Sequence, residues 1–267
     1  SLIPLRVLAP VLSLRRLIRE LAPDVVHSFT HQPNILCRLA APAGTVLVNS
    51  VTGLGSCFLG QGAKGAAIRA LFHLLYRTTA AAADAVVFQN TDDLDHFTGH
   101  RLLGPASPFL VRGSGVDTAA FRPGLLAPQE RDALRAELGL APGQVVATLA
   151  ARLIRDKGVF EFLEAAQRLA PRFPDLRFLL VGDPDPGNPT SLSGADMARA
   201  QAAGNVVFAG WRTDMDRIWA ASDIAVLPSY REGLPVSLQE ALACGLPVIA
   251  TDAPGCRETV QPEQNGL

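Results

Sequence analysis

The stretch REGLPVSLQE, residues 231–240, sets two carboxylates, Glu232 and Glu240, on either side of a Gly-Leu-Pro turn and a helix start. Pro235 suits the first helical position, where its missing N–H has no intrahelical partner to lose, and the pattern runs through Cys244 until Gly245 stops it. The backbone around Gly233, Leu234, Pro235 and Val236 then offers unpaired amides pointing out of the helix start, a ready site for an anion. Glu232 beside that anion serves as a hydroxyl acceptor, because two anions repel. Glu240, farther along at about 1.5 Å of rise per residue, accepts from a second hydroxyl. One ligand carrying phosphates flanked by polyols satisfies both acids. On this spacing alone a plainer alternative stays open, with Glu232 as a cap and Glu240 on a solvated face.

A second stretch, ARLIRDKGVFEFLEAA from residue 151, supplies the charge that such a ligand needs. Arg152 and Lys157 follow an apolar strand pattern, and Gly158 opens the next helix, where its lack of a side chain permits close approach. Only two of the 24 basic residues are lysines, Lys64 and Lys157, so Lys157 stands out as a compact point charge in a chain that otherwise uses arginine. The alternative is a solvated charged loop.

The elements that must hold these residues are legible as well. Short β-branched runs alternate with helical patterns: 24–29, 45–50, 85–89 and 108–112, then 144–150, 176–182, 205–210, 223–228 and 246–251. That rhythm predicts an α/β fold with parallel strands and crossover helices. Between Arg112 and Pro128 it lapses into a Gly- and Pro-rich connection, which places a boundary near residue 120 and two domains at 1–119 and 120–267. Ligands of such sheets bind at the carboxyl ends of strands, where both motifs lie.

Composition excludes several classes. A hydrophobic content of 48% rules out a disordered chain, and a net charge of −1 gives no overall attraction to nucleic acid. Cys37, Cys57, Cys244 and Cys256 show no C-x-x-C spacing and read as reduced, cytoplasmic thiols. The uncharged run from Leu39 to Ala63 is broken by Pro42, Asn49 and several glycines, so no spanning helix is expected there. The start at Ser1 and the stop at Leu267 read as a fragment cut at both ends.

Taken together, Arg152-Leu153-x-x-x-Lys157-Gly158 and Glu232-x7-Glu240 resemble the retaining glycosyltransferases of family 4. The resemblance covers nearly the whole chain and implies the GT-B fold, two Rossmann-like domains with parallel sheets facing a cleft, here truncated at both ends. It makes domain 1–119 the acceptor side and domain 120–267 the nucleotide-sugar donor side. It gives Arg152 and Lys157 the donor diphosphate, Glu232 the transferred sugar and Glu240 the ribose; Gly182 allows close approach of the donor. The segments FTHQPNILCRLAA, NSVTGLGSCF, FQNTDDLDHF and GSGVD resemble the branch that adds N-acetylhexosamine from a UDP-sugar to an undecaprenyl-diphosphate-linked saccharide. The resemblance implies no metal and no other cofactor, and a front-face course in which the leaving phosphate oxygen takes the acceptor's proton. One departure is the loop Val51-Thr52-Gly53-Leu54-Gly55, which lacks the histidine many members carry. Competing readings are a relative with a soluble acceptor, a nucleotide-sugar-binding module without turnover, and an NAD dehydrogenase, the last disfavoured because no G-x-G-x-x-G follows a strand.

Other features have plainer readings. Asp183-Pro184-Asp185 matches a metal-binding D-x-D string but reads as turn chemistry. His27 and His31 read as polar residues at a strand end and loop, and Thr91-Asp92-Asp93 as a helix cap. From Lys64 to Arg77 the polar residues Lys64, Arg69, His73 and Arg77 recur at near-helical spacing among Ile68, Leu71, Phe72, Leu74 and Leu75. Two readings stay open for this helix: burial against a sheet, or contact with the inner face of the cytoplasmic membrane that holds the acceptor lipid.

Overall fold

The computed structural model describes residues 3–55 and 58–267, so Cys57 lies outside the described residues. Two compact units emerge, one ending at Gly113 and also holding Glu232–Leu234, the other comprising Ser114–Arg231 and Pro235–Leu267. The nine strands expected from the sequence are all present, with ends shifted by one or two residues.

In the first unit, helix α1 (Ile3–Leu21) precedes β1 (Val25–Phe29), α2 (His31–Ala40), β2 (Val46–Val51), α3 (Gly62–Thr78), β3 (Ala85–Phe88), α4 (Thr91–Gly99) and β4 (Ser107–Leu110). The sheet is parallel with order β1-β2-β3-β4, and Phe29, Ser50, Val87 and Phe109 stand side by side across it. Each crossover steps in the same direction, so right-handed connections bring α2, α3 and α4 to one face. Burial alternates accordingly. Leu47, Asn49, Val51, Val86 and Phe88 are buried, and Val51, Val86 and Phe88 share a core with Tyr76, Phe97 and Leu102. On the other face Val25, Phe29, Val46 and Phe109 are exposed.

Polar groups under the helices are paired with one another. Asn49 Oδ1 accepts from Arg38 Nε at 2.6 Å, and Ser28 Oγ links Asn49 to Asn34 at 2.8 Å each. His31 begins α2 and bonds Tyr76 Oη at 3.0 Å and Gly53 O at 2.9 Å, while His27 meets Ser50 Oγ at 2.8 Å. Both are ordinary packed polar residues. The cap of α4 is Asn90 and not Thr91: its side chain accepts from the Asp93 amide at 2.8 Å, one position earlier than the sequence suggests.

The second unit runs α5 (Pro128–Glu137), β5 (Val145–Ala150), α6 (Val159–Leu169), β6 (Leu176–Val181), α7 (Gly194–Gln201), β7 (Val206–Gly210), α8 (Met215–Ala221), β8 (Ile224–Leu227), α9 (Val236–Ala243) and β9 (Val248–Ala250). Its parallel sheet has order β7-β6-β5-β8-β9 and is covered on both sides. Ala147, Leu149, Phe178 and Leu180 pack with Phe162, Leu163 and Ala166 of α6 and Ala200 of α7. Val146, Leu179 and Val181 pack with Ile218 of α8.

At the amino-terminal edge of this sheet, Asp223 collects three donors from two elements, α5 and β5. Its carboxylate accepts from Arg131 at 2.5 Å, from the buried Arg135 at 2.7 Å and from the Val146 amide at 2.8 Å. Replacing Asp223 with Ala strands a buried guanidinium and an amide, so urea denaturation of the variant is expected to show a loss of about 3 kcal/mol. A loss under about 1 kcal/mol would assign this cluster a surface role.

Candidate functional site

A pocket of about 450 Å³ opens in the second unit at the carboxyl ends of β5 and β6. Arg152, Gly182, Val236 and Glu240 of the expected site residues line it, together with Asp183, Asp185, Trp211, Arg212, Met215 and Ser237. Gly182 has φ 126°, and a methyl there would stand 2.1 Å from Ala151 O, so only glycine lets the end of β6 lie against the residue after β5. The floor is therefore backbone.

The start of α9 supplies one wall. Pro235, expected at the first helical position, is the cap instead: its φ of −70° suits a helix but its ψ of 114° is extended, and the helix begins at Val236. The open amides therefore belong to the first turn from Val236, one residue later than the sequence suggests. Cys244 closes the helix and Gly245 follows at φ 79°.

Glu240 is half-buried, and Trp219 Nε1 donates to its Oε2 at 3.0 Å. Burial pushes its carboxyl above the usual carboxylate range, and the indole hydrogen bond offsets part of that shift. Trp219 is almost wholly buried and holds the acid in place from behind the lining. Arg152 pairs with Asp185 at 3.0 Å, with its side chain 63% exposed. That pair is an exchangeable contact at the water boundary. Asp185 Oδ1 also accepts from the Gly187 amide at 3.2 Å, the turn chemistry expected of the D-x-D string. Arg212 is instead held by Asp214 at 2.7 Å and Glu137 at 3.0 Å, and these bonds raise its pKa.

Lys157 lies in the 3-10 turn Arg155–Lys157, and neither it nor Gly158 is among the pocket's lining residues. Gly158 caps α6 at φ 73°, with Pro228 O only 2.1 Å from where a methyl would sit, so its freedom serves packing against the end of β8 and not approach to a ligand. The same contact is reinforced by the Asp156 carbonyl, which accepts from the Tyr230 amide at 3.0 Å and Ser229 Oγ at 2.9 Å. The lysine's turn is thereby fixed against the loop that leads towards Glu232. Glu232, Gly233 and Leu234 cluster with the first unit, where Asn90 Nδ2 donates to Gly233 O at 2.7 Å.

Sequence reasoning missed Trp211, Arg212, Met215 and Ser237, and the Trp219 support. The loop after β7 carries Trp211 and Arg212 at a strand's carboxyl end, and that rule would have found it.

Comparison with known proteins places this geometry. Residues 3–115 match the family described as Glycosyl transferase 4-like domain, and residues 144–267 match Glycosyl transferases group 1. The chain is 30% identical over its whole length to the N,N'-diacetylbacillosaminyl-diphospho-undecaprenol alpha-1,3-N-acetylgalactosaminyltransferase of Campylobacter jejuni, covering 69% of that protein. The chain belongs to glycosyltransferase family 4. It is also 28% identical, over 96% of its length and 65% of the relative's, to the Escherichia coli UDP-Gal:alpha-D-GlcNAc-diphosphoundecaprenol alpha-1,3-galactosyltransferase. The chain thus spans about two thirds of the length of these family 4 relatives. The crystal structure of Anabaena Alr3699/HepE in complex with UDP matches at a TM-score of 0.76 and 21% identity, covering 96% of this chain and 67% of that one. The fold is GT-B, with both Rossmann-like units represented.

Glu240 separates charge from hydrogen bonding. Its folded pKa lies above the unfolded one, so ionisation costs stability in full above the folded value, and the cost disappears as pH falls below the unfolded value. Glu240→Gln keeps an acceptor for Trp219 and is expected to match or exceed the wild-type melting temperature at neutral pH, with the difference fading on acidification. Glu240→Ala leaves a buried indole N–H unpaired and is expected to lose about 1–3 kcal/mol at any pH. Equal stability of the Gln and Ala variants would remove the Trp219 bond from this account.

Proposed function

We propose that the full-length protein is a retaining glycosyltransferase that moves an N-acetylhexosamine from its UDP-sugar to an undecaprenyl-diphosphate-linked saccharide. The observation that carries the reading is the pocket at the carboxyl edge of the second sheet, where a mostly exposed Arg152, the Gly182 backbone, the start of α9 and a positioned Glu240 surround a space large enough for a nucleotide-sugar. The activities of the Campylobacter and Escherichia relatives support the lipid-linked acceptor.

In this reading the diphosphate displaces Asp185 from Arg152 and takes the first-turn amides of α9, while Lys157 adds a second cation. Negative charge grows on the diphosphate as the glycosyl bond breaks, and preorganised cations and amides stabilise it more than they stabilise the ground state. Glu240 accepts from the ribose, Trp211 offers an exposed ring at the rim, and Glu232 accepts from the transferred sugar. Pro235 and Val236 complete the donor cradle at the start of α9. The leaving phosphate oxygen takes the acceptor's proton, so the reaction calls for no protein base, no metal and no other cofactor.

The proposed location is the inner face of the cytoplasmic membrane. Among the described residues no helix is long and apolar enough to cross a bilayer. Helix α3 exposes Ile68, Leu71, Leu74 and Leu75 beside the exposed Lys64 and Arg77, while Tyr76 is buried beneath it. Burial therefore does not account for this apolar stripe, and a stripe flanked by cations suits an anionic lipid surface.

Incubating the full-length protein with a panel of UDP-sugars and undecaprenyl-diphosphate saccharides, with mass analysis of products, is expected to show addition of one N-acetylhexosamine. Transfer to water-soluble sugars alone would overturn the acceptor, and UDP binding without any transfer would overturn catalysis. Lys157→Ala is expected to lower kcat/KM about 100-fold, and Glu232→Ala to reduce transfer more than UDP affinity. For the membrane, flotation with anionic liposomes is expected to weaken when Lys64, Arg69 and Arg77 are changed to Glu; equal flotation would count against the surface assigned to α3.

A further inference from the structure

The chain has five histidines, and three of them converge at one place in the first unit. His73 projects from α3, and His96 with His100 stands at the carboxyl end of α4, four residues apart and hence on one face. The His73 and His96 Nε2 atoms are 3.0 Å apart, and ring centroids lie 5.2, 4.6 and 4.2 Å apart for the pairs 73–96, 73–100 and 96–100. One ligand nitrogen from each ring falls within 4.8 Å of the other two.

We propose that His73, His96 and His100 form a binding site for a divalent transition metal of zinc's class, clasping α3 to the end of α4. Nitrogens around a tetrahedral zinc, each at about 2.0–2.1 Å from the ion, stand roughly 3.3 Å from one another. The closest pair is already near that spacing, and the wider ones close by rotation of the exposed His100 side chain. Two further observations fit. His100 Nδ1 lies 2.9 Å from the His96 carbonyl, the kind of outer bond that fixes a ligating imidazole's tautomer and leaves its Nε2 lone pair for the metal. The end of a helix carries partial negative charge that favours a cation.

The two nearby arginines are turned to other work: Arg77 donates to His100 O at 3.1 and 3.2 Å, and Arg69 to Gly60 O at 2.6 Å. The donor set is all imidazole, which suits zinc, nickel or copper and excludes magnesium and calcium. None of the three histidines is among the residues lining the donor pocket, so the site stands or falls apart from the proposed transfer reaction.

The test uses untagged, chelator-treated full-length protein titrated calorimetrically with zinc chloride. Saturable binding of one zinc per chain is expected, with a melting temperature raised by zinc and unmoved by magnesium. His96→Gln and His100→Gln are each expected to weaken zinc binding about tenfold or more. The cobalt form is expected to lack a thiolate charge-transfer band, which separates this site from one built on cysteine. Absence of saturable binding, unchanged affinity in the triple His→Gln variant, or a thiolate band would overturn the proposal. Should the variants misfold, diethyl pyrocarbonate labelling of the wild type decides: zinc is expected to protect His73, His96 and His100, and unprotected labelling would refute the site.

Discussion

Backbone touches backbone at the carboxyl edge of the second sheet, and the donor pocket depends on that constraint. Strand β5 lies between β6 and β8, and the residues leaving these strands crowd together: Gly182 against the Ala151 carbonyl, Gly158 against the Pro228 carbonyl. A side chain at either position would wedge the edge open. The opposite edge is held differently, by the charges gathered on Asp223. Ionic bonds thus fix the end of the sheet away from the pocket, and close packing without side chains shapes the end that carries it.

Within the pocket the two cations are not equivalent. Arg212 is locked between Asp214 and Glu137, so its charge is already matched. Arg152 has one carboxylate partner and is mostly in water, so in the proposed reading a diphosphate would exchange one anion for another at little cost in desolvation. The acid wall has a similar division. Trp219 fixes one oxygen of Glu240 from the protein side, which leaves the carboxylate oriented without occupying every acceptor position.

The strands were legible because buried parallel strands read as compact apolar runs; the Gly- and Pro-rich stretch marked a boundary near residue 120, whereas the first compact unit ends at Gly113, and the return of Glu232–Leu234 to that unit had no signal in the sequence. That Arg152, Gly182, Val236 and Glu240 would share one pocket was legible because each sits at a strand end or helix start that a short motif marks. Pairings across long separations were not: Arg152 with Asp185 is 33 residues apart and Trp219 with Glu240 is 21. The role of Gly158 was misread for the same reason, since the carbonyl that demands a glycine belongs to Pro228. The fate of the α3 leucines was undecidable from periodicity, which gives a stripe but not what lies against it.

The first sheet winds in one direction only, with its helices on one side and Val25, Phe29, Val46 and Phe109 bare on the other. Parallel sheets are ordinarily sandwiched, so this wall is an adhesive surface in water. Wherever that wall is left uncovered, copies of the chain can meet through it, an adhesion that involves none of the residues lining the pocket.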